Sequence, residues 1–523
     1  MLDIKHSVSR HWASKSAVQL VTKLVSHGIV YILVLICLVS IVLWVTEVLS
    51  LFRLEEAGHG DSYILYDVLL FQKTGIIYRD LSEPPYLPAL YSPLMYILYS
   101  LPGRVFSSQN PFVGPRLVAI AAFLACTGII ASIVRKLFPS AAVWIWGIVL
   151  PFTTESMWGW ILQIRGDFPA IALSLLALRL LLSQSRWAVV LAGVCAGLAL
   201  QFKIVYVAAA ISGTLWLVVQ KRWKDVVRFA FPAAICSVGL YLLYSLREPG
   251  MISQMLAMSP GIVNVTGNLT QVDGAVTELV MLMAVLGVAS IYWPTSPQET
   301  LIGIFVVISL AVAAMMNLQV GGNVNYYFEA LFGVIPIAVL GLRRLTVLAR
   351  RDVLVGVMLA ALLAIHFLLP RAVSVYDNLG ILRHGWVVSG NTEFRQMERV
   401  LAGHRFFSAT PRLALLDPRP PLMEPFMLTY MHRLGKVDPT LIVNAAFANK
   451  PDVVITYAAP HTYRGISLVD PVLRRAITAS YEPYCKFGGY LFHLPKDIGP
   501  GNSPMAQELR KINCVPVSGD TDW

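Results

Sequence analysis

From Gly28 to Phe52 the chain runs for 25 residues with a single charged side chain, Glu47. A helix rises about 1.5 Å per residue, so such a run crosses the roughly 30 Å hydrocarbon core of a bilayer with length to spare. Further apolar runs fall near 115–134, 140–158, 168–183, 187–201, 204–219, 226–246, 275–293, 299–316, 327–342 and 353–370, making eleven with the first. Charged residues are 14% of the chain, against about 25% in soluble domains. The pattern specifies an α-helical polytopic membrane protein of about eleven spans.

Lys5, Arg10, Lys15 and Lys23 precede the first run, which is too long for the apolar core of a cleaved signal and has no small-residue cleavage site behind it. It reads as a retained anchor with its N-terminus in the cytoplasm. Alternation then places Arg135 and Lys136, Arg179 and Arg186, Lys221 to Arg228, and Arg343 to Arg351 on the same face, while the short outward connections hold only Arg165, Lys203 and Arg247. Lys and Arg gather on the cytoplasmic side of spans, so the net charge of +11 is a topology signal and calls for no nucleic-acid partner. The apolar segment Pro93 to Phe106 is only about 20 Å long as a helix and would reverse this parity if it crossed. It is expected to be a juxtamembrane or re-entrant helix.

An odd number of spans puts the C-terminal part outside. Beyond residue 370 Pro, Gly and charge rise, strand-like pieces such as Arg412 to Leu416 and Asp452 to Tyr457 recur, and 424–448 reads as helical. The expected organisation is a transmembrane domain over 1–372, with a large first outward loop at 53–114, and a small extracytoplasmic α/β domain over 373–523. Cys37, Cys126, Cys195 and Cys236 lie in apolar runs; only Cys485 and Cys514 are placed to bridge, and only in an oxidising compartment.

Unusual polar residues collect on the outward side. The first loop holds Glu55, Glu56 and Asp61, then Gly75 to Tyr78 and Tyr91-Ser-Pro93. Any of the three acids can act as a general base if it reaches a hydroxyl in a water-poor pocket; Asp61 reads equally as the N-cap of a helix over 62–74. Arg165-Gly-Asp167 either forms a local ion pair with Asp167 as N-cap or turns Arg165 toward an anionic headgroup. Lys203 either snorkels to the interface or joins the same outward face. In Gly321-Gly-Asn323-Val-Asn325-Tyr326, the amides either cap a helix or bind polar ligand groups, and Glu329, one turn inside, needs a partner. The chain has no phosphate-cradling Gly-rich loop, no His-Glu-x-x-His and no Cys-x-x-Cys, which argues against nucleotide hydrolysis and a zinc protease.

The acidic first loop, Gly-x-x-Tyr at 75–78, Tyr-x-Pro-Leu at 91–94, the Arg-x-Asp that leads a helix and the Gly-Gly-Asn-x-Asn-Tyr segment together resemble the GT-C superfamily of integral-membrane glycosyltransferases. The similarity spans about 28–370 and is greatest to the branch around protein mannosyltransferases and aminoarabinose transferases. It implies a first-loop carboxylate at the catalytic site, best matched by Asp61, a later Asp matched by Asp167, and a basic residue matched by Lys203. Members commonly carry Asp-Glu or Glu where this chain has Asp61-Ser62, so Glu55 and Glu56 remain alternatives.

The implied activity is transfer of a sugar from a polyprenyl-phosphate donor to an acceptor hydroxyl on glycan, lipid or protein at the outer face of a bacterial inner membrane, with inversion. Arg165 and Lys203 would bind phosphate; Tyr91, Asp167, Asn323, Asn325, Tyr326 and Glu329 would complete the substrate site. No organic cofactor is implied, and a divalent metal is left open. The rival readings are a transporter or flippase of lipid-linked saccharide and an inactive scaffold.

Overall fold

The computed structural model describes residues 38–54, 60–80, 88–105, 110–139, 144–183, 185–257, 296–318, 323–349, 386–409, 425–448, 450–458, 469–499 and 502–517, with isolated positions such as Glu56 and Tyr86 between them. Glu55, Gly321, Gly322, the expected spans at 275–293 and 353–370, and the expected domain boundary near 372 lie outside the described residues.

The N-terminal part is helical. After helical residues 38–49 come α1 (Asp61–Thr74), α2 (Pro93–Val105), α3 (Val113–Leu137), α4 (Trp144–Phe152), α5 (Glu155–Trp158), α6 (Asp167–Leu181), α7 (Arg186–Leu200), α8 (Ala208–Val219), α9 (Trp223–Ala234), α10 (Leu240–Arg247), α11 (Gly250–Ala257), α12 (Pro297–Asn317) and α13 (Phe328–Ala349). A π-helical turn at Ile235–Gly239 joins α9 to α10.

The expected eleven spans are not confirmed, and two of them lie outside the described residues. Among the described residues three helices are long and apolar enough to cross a membrane: α3, the continuous stretch Trp223–Arg247, and α12. The apolar runs at 168–183, 187–201 and 204–219 form helices of 15, 15 and 12 residues. At about 1.5 Å per residue these are roughly 18 to 22 Å long, short of the hydrocarbon core. The run at 140–158 is interrupted, with α4 and α5 separated by Thr153 and Thr154. The split at Lys203 is found as expected, and Pro93–Val105 is a 13-residue helix whose Tyr96 and Tyr99 are buried in the core.

Close helix contacts follow from small residues. A Cβ at Gly193 of α7 would lie 2.1 Å from the Phe229 carbonyl oxygen of α9, and one at Gly197 would lie 2.4 Å from that of Ala233. Lacking side chains there, α7 and α9 pack backbone to backbone, the route by which helices associate without a hydrophobic driving force in lipid.

The C-terminal part is α/β. It contains α14 (Trp386–Leu401), β1 (Phe406–Ser408), α15 (Pro425–Arg433), α16 (Pro439–Phe447), β2 (Val453–Tyr457), β3 (Thr462–Tyr463), β4 (Ile466–Ser467), α17 (Pro471–Ser480), β5 (Tyr481–Phe487), β6 (Tyr490–Pro495), α18 (Pro504–Lys511) and β7 (Val515–Pro516). Five strands form one sheet in the order β1-β2-β6-β5-β7; β1 and β2 are parallel and the other neighbours antiparallel. Alternate strand residues point to opposite faces. Val453, Ile455, Phe492 and Leu494 therefore pack with Phe394, Met397 and Leu509, while Val454 and Leu491 pack with Ile442, Val443, Leu473 and Ile477. Helices cover both faces.

Two strand and helix expectations are corrected. The 424–448 segment is two helices, because Gly435 takes a left-handed φ of 65° between them. The described residues of 412–416 are helical or turn and not strand; Leu413 is fully buried, so its apolar content serves packing without ladder pairing. Cys485 and Cys514 are disulfide-bonded and tie β5 to the segment entering β7. The α/β part also touches the first loop: Leu54 joins the core around Phe394, and Leu90 packs against Met427 and Tyr430.

Candidate active site

Asp61 opens α1 behind Gly60, whose φ of 85° only glycine adopts freely. Glu56 accepts a hydrogen bond from the Ser62 N–H at 2.9 Å, supplying the helix N-terminus with an anion. Asp61 is fully buried and ion-paired, with Arg165 Nε 3.7 Å from its Oδ1.

Arg165 is held on several sides. Its Nη1 donates to the Tyr91 hydroxyl at 3.0 Å, its carbonyl accepts from the Tyr99 hydroxyl at 2.6 Å, and its guanidinium lies 5.8 Å from the Trp160 ring centroid. Burial alone would lower its proton affinity, but Tyr91 and Asp61 outweigh it and hold the guanidinium above its ordinary range.

Asp167 begins α6 directly after Gly166. A Cβ on Gly166 would lie 2.7 Å from the Phe202 carbonyl oxygen, so glycine lets this turn close onto the turn that carries Lys203. The Asp167 Oδ1 accepts from Lys203 Nζ at 2.9 Å, from Asn325 Nδ2 at 2.9 Å and from the Tyr206 hydroxyl. Its Oδ2 is buried with no hydrogen bond among the described residues. Lys203 lies 4.4 Å above the Tyr326 ring and 6.0 Å from that of Tyr91. Burial pulls its ammonium down, but Asp167, Tyr326 and Tyr91 together hold it above the usual lysine range.

The arrangement has a polarity. Side-chain exposure is 19% for Arg165 and 13% for Lys203, against 0% for Asp61 and 2% for Asp167. Both cations are slightly exposed, and each is backed by a buried carboxylate. Such a pair offers an anion two charge-assisted donors held in place before it arrives.

The structure thus brings together Asp61, Arg165 and Tyr91 in one group and Asp167, Lys203, Asn325 and Tyr326 in the next. Asn323 accepts from the Val324 N–H at 2.8 Å and caps the short 3-10 turn Val324–Tyr327. Glu329 is buried beside Ser174 of α6, not at hydrogen-bonding geometry. Glu56 is engaged in the helix terminus described above. Sequence reasoning missed Tyr206, which lies three residues after Lys203 in the same outward connection, and Tyr99. Among the described residues no three His, Cys, Asp or Glu side chains converge, and Asp61 and Asp167 are each paired with a cation.

No family model matches the chain, and no curated protein sequence matches it. Its fold does match solved structures. ArnT from Cupriavidus metallidurans in the apo state superposes at TM-score 0.61 with 13% identity over 88% of this chain and 97% of the other. The same protein bound to undecaprenyl phosphate superposes at TM-score 0.60 with 14% identity and the same coverage. An oligosaccharyltransferase from Archaeoglobus fulgidus reaches TM-score 0.49 at 13% identity, over 91% of this chain and 76% of that one. The chain therefore shares the fold of ArnT.

Proposed function

We propose that this protein transfers a sugar from a polyprenyl-phosphate donor to an acceptor hydroxyl at the outer face of a bacterial inner membrane. The observation that carries the reading is the pair of slightly exposed cations Arg165 and Lys203, each held by a buried aspartate. The shared fold supports it, since one of the matched structures holds undecaprenyl phosphate.

In this reading the donor phosphate sits between Arg165 and Lys203. Arg165 then exchanges part of its interaction with Asp61 for the phosphate, which leaves the Asp61 carboxylate to accept the acceptor's hydroxyl proton. The acceptor oxygen forms a bond to the anomeric carbon as the carbon–phosphate-oxygen bond breaks. The electron pair stays on the lipid phosphate, whose growing charge the two cations stabilise. A single displacement inverts the anomeric centre. Tyr91, Tyr326 and Asn325 line the cations and complete the sugar-facing wall.

The test is transfer of radiolabelled sugar from a panel of polyprenyl-phosphate sugars, in membranes that hold matched amounts of wild type and Asp61→Asn. Transfer by the wild type and its loss in the variant upholds the reading. Unchanged transfer by the variant moves the base to Glu55 or Glu56. Donor that crosses vesicles only with the wild type present, with none consumed, replaces the enzyme by a flippase.

A further inference from the structure

Across the site's outer edge, two buried side chains from a distant part of the chain grip the backbone of the first loop. Glu248, in the turn between α10 and α11, accepts from the N–H groups of Ile77 at 2.9 Å and Tyr78 at 2.7 Å through one carboxylate oxygen. Gln254 of α11 accepts from the Ala89 N–H at 2.8 Å and donates to the Arg79 carbonyl. Between them Gly250 leaves room for the loop: a Cβ there would lie 2.6 Å from the Arg79 carbonyl oxygen and 3.0 Å from that of Tyr78. Both side chains are buried, and a buried carboxylate is retained only where donors satisfy it.

The grip is transmitted inward. The Tyr78 hydroxyl donates to the Tyr91 carbonyl at 2.7 Å, and the Tyr91 N–H donates to the Tyr96 hydroxyl at 3.1 Å. The Tyr91 hydroxyl in turn accepts from Arg165, which faces Asp61. A continuous series of contacts therefore runs from Glu248 through Tyr78, Tyr91 and Arg165 to Asp61.

We infer that Glu248 and Gln254 are positioning residues that set the place of Tyr91, and through it the aim of the Arg165 guanidinium at the donor phosphate. The inference rests on the phosphate-binding reading of Arg165. Bonds to backbone alone make the grip independent of the loop's own side chains, so its effect falls on geometry and not on the chemistry of the loop.

The experiment uses the full-length protein in nanodiscs and four variants: Glu248→Ala, Glu248→Gln, Tyr91→Phe and the Glu248→Ala/Tyr91→Phe double. Affinity for undecaprenyl phosphate and donor KM and kcat are measured, with hydrogen exchange across Ile77–Tyr91. Expected is a roughly tenfold weaker phosphate affinity and higher KM in Glu248→Ala with kcat changed little, the middle of the range for residues coupled through one network. Glu248→Gln, which keeps an acceptor oxygen, should recover part of the loss. The double variant should be no worse than Tyr91→Phe.

A folded Glu248→Ala with wild-type affinity and KM, or additive losses in the double variant, overturns the inference. A wild type that neither binds undecaprenyl phosphate nor transfers sugar overturns the functional reading instead. Amide exchange then decides the grip by itself: faster exchange across Ile77–Tyr91 in Glu248→Ala upholds it, and unchanged exchange overturns it.

Discussion

The Lys203 ammonium stands 2.9 Å from Asp167 Oδ1, which also accepts from Asn325 and Tyr206. One carboxylate thus gathers side chains from two other stretches of chain, and the lysine's charge lies over the Tyr326 ring. Lys203→Met keeps the stem's packing and removes the charge. It leaves the Asp167 carboxylate with two neutral donors, so the protein should fold, and transfer should fall by about 10²- to 10³-fold, as for loss of one preorganised stabilising donor. A decrease under threefold in membranes with matched protein would remove Lys203 from the phosphate site.

Asp61→Asn separates the base from the binding groups. Arg165 keeps its contact with Tyr91, so undecaprenyl phosphate affinity should hold or rise once the competing carboxylate is neutral. Turnover should fall by about 10²- to 10⁴-fold, the usual weight of general-base assistance. Parallel loss of affinity and turnover would instead make Asp61 a structural partner of Arg165.

Much of this site was legible because charge is scarce in a membrane chain. Asp61 in the long first loop, and Arg165, Asp167 and Lys203 in short connections, stand out between apolar runs, and polar groups at such positions need a reason. Tyr206 and Tyr99 were not legible, since tyrosine near a membrane end reads as an interfacial anchor unless its hydroxyl's partner is known. Glu248 and Gln254 were hidden more deeply: they bind backbone groups about 170 residues away, and no side-chain pattern marks a backbone acceptor site. Hydropathy likewise found the apolar runs but not helix lengths, which Gly, Pro and local polar turns fix. The strand β1 has three residues, too few for alternation to show.

The Cys485–Cys514 bond closes a segment with a sequence separation of 29 across the edge of the sheet. A cross-link of that span stabilises by about 3 to 4 kcal/mol in the chain-entropy account, chiefly by restricting the unfolded chain. Cys485→Ser/Cys514→Ser should therefore lower the melting of the α/β part, read as loss of exchange protection in β5 and β6. Helices α6 to α8 should keep theirs. Protection in the double variant equal to wild type would show that the sheet edge is held by packing alone.

His493 gives the α/β part its acid sensitivity. Its side chain is 1% exposed on β6, and Nε2 lies 2.9 Å from the Thr456 hydroxyl. Burial lowers its pKa from 6.5 to about 3, so the ring is neutral in the folded protein at any pH near neutrality. The sign follows from proton counting. Above about 6.5 neither state carries the proton and stability is at its full value. As pH falls through the window from 6.5 toward 3, the unfolded chain takes up a proton that the folded one refuses. Stability then drops by about 1.4 kcal/mol per pH unit, approaching about 2 kcal/mol at pH 5. Hydrogen exchange in β2 and β6 should accelerate accordingly between pH 7 and pH 5 after correction for intrinsic rates. His493→Gln retains a partner for Thr456 and does not titrate, so its exchange protection should be nearly flat over the same window. Equal pH slopes in wild type and variant would place the acid sensitivity on another group.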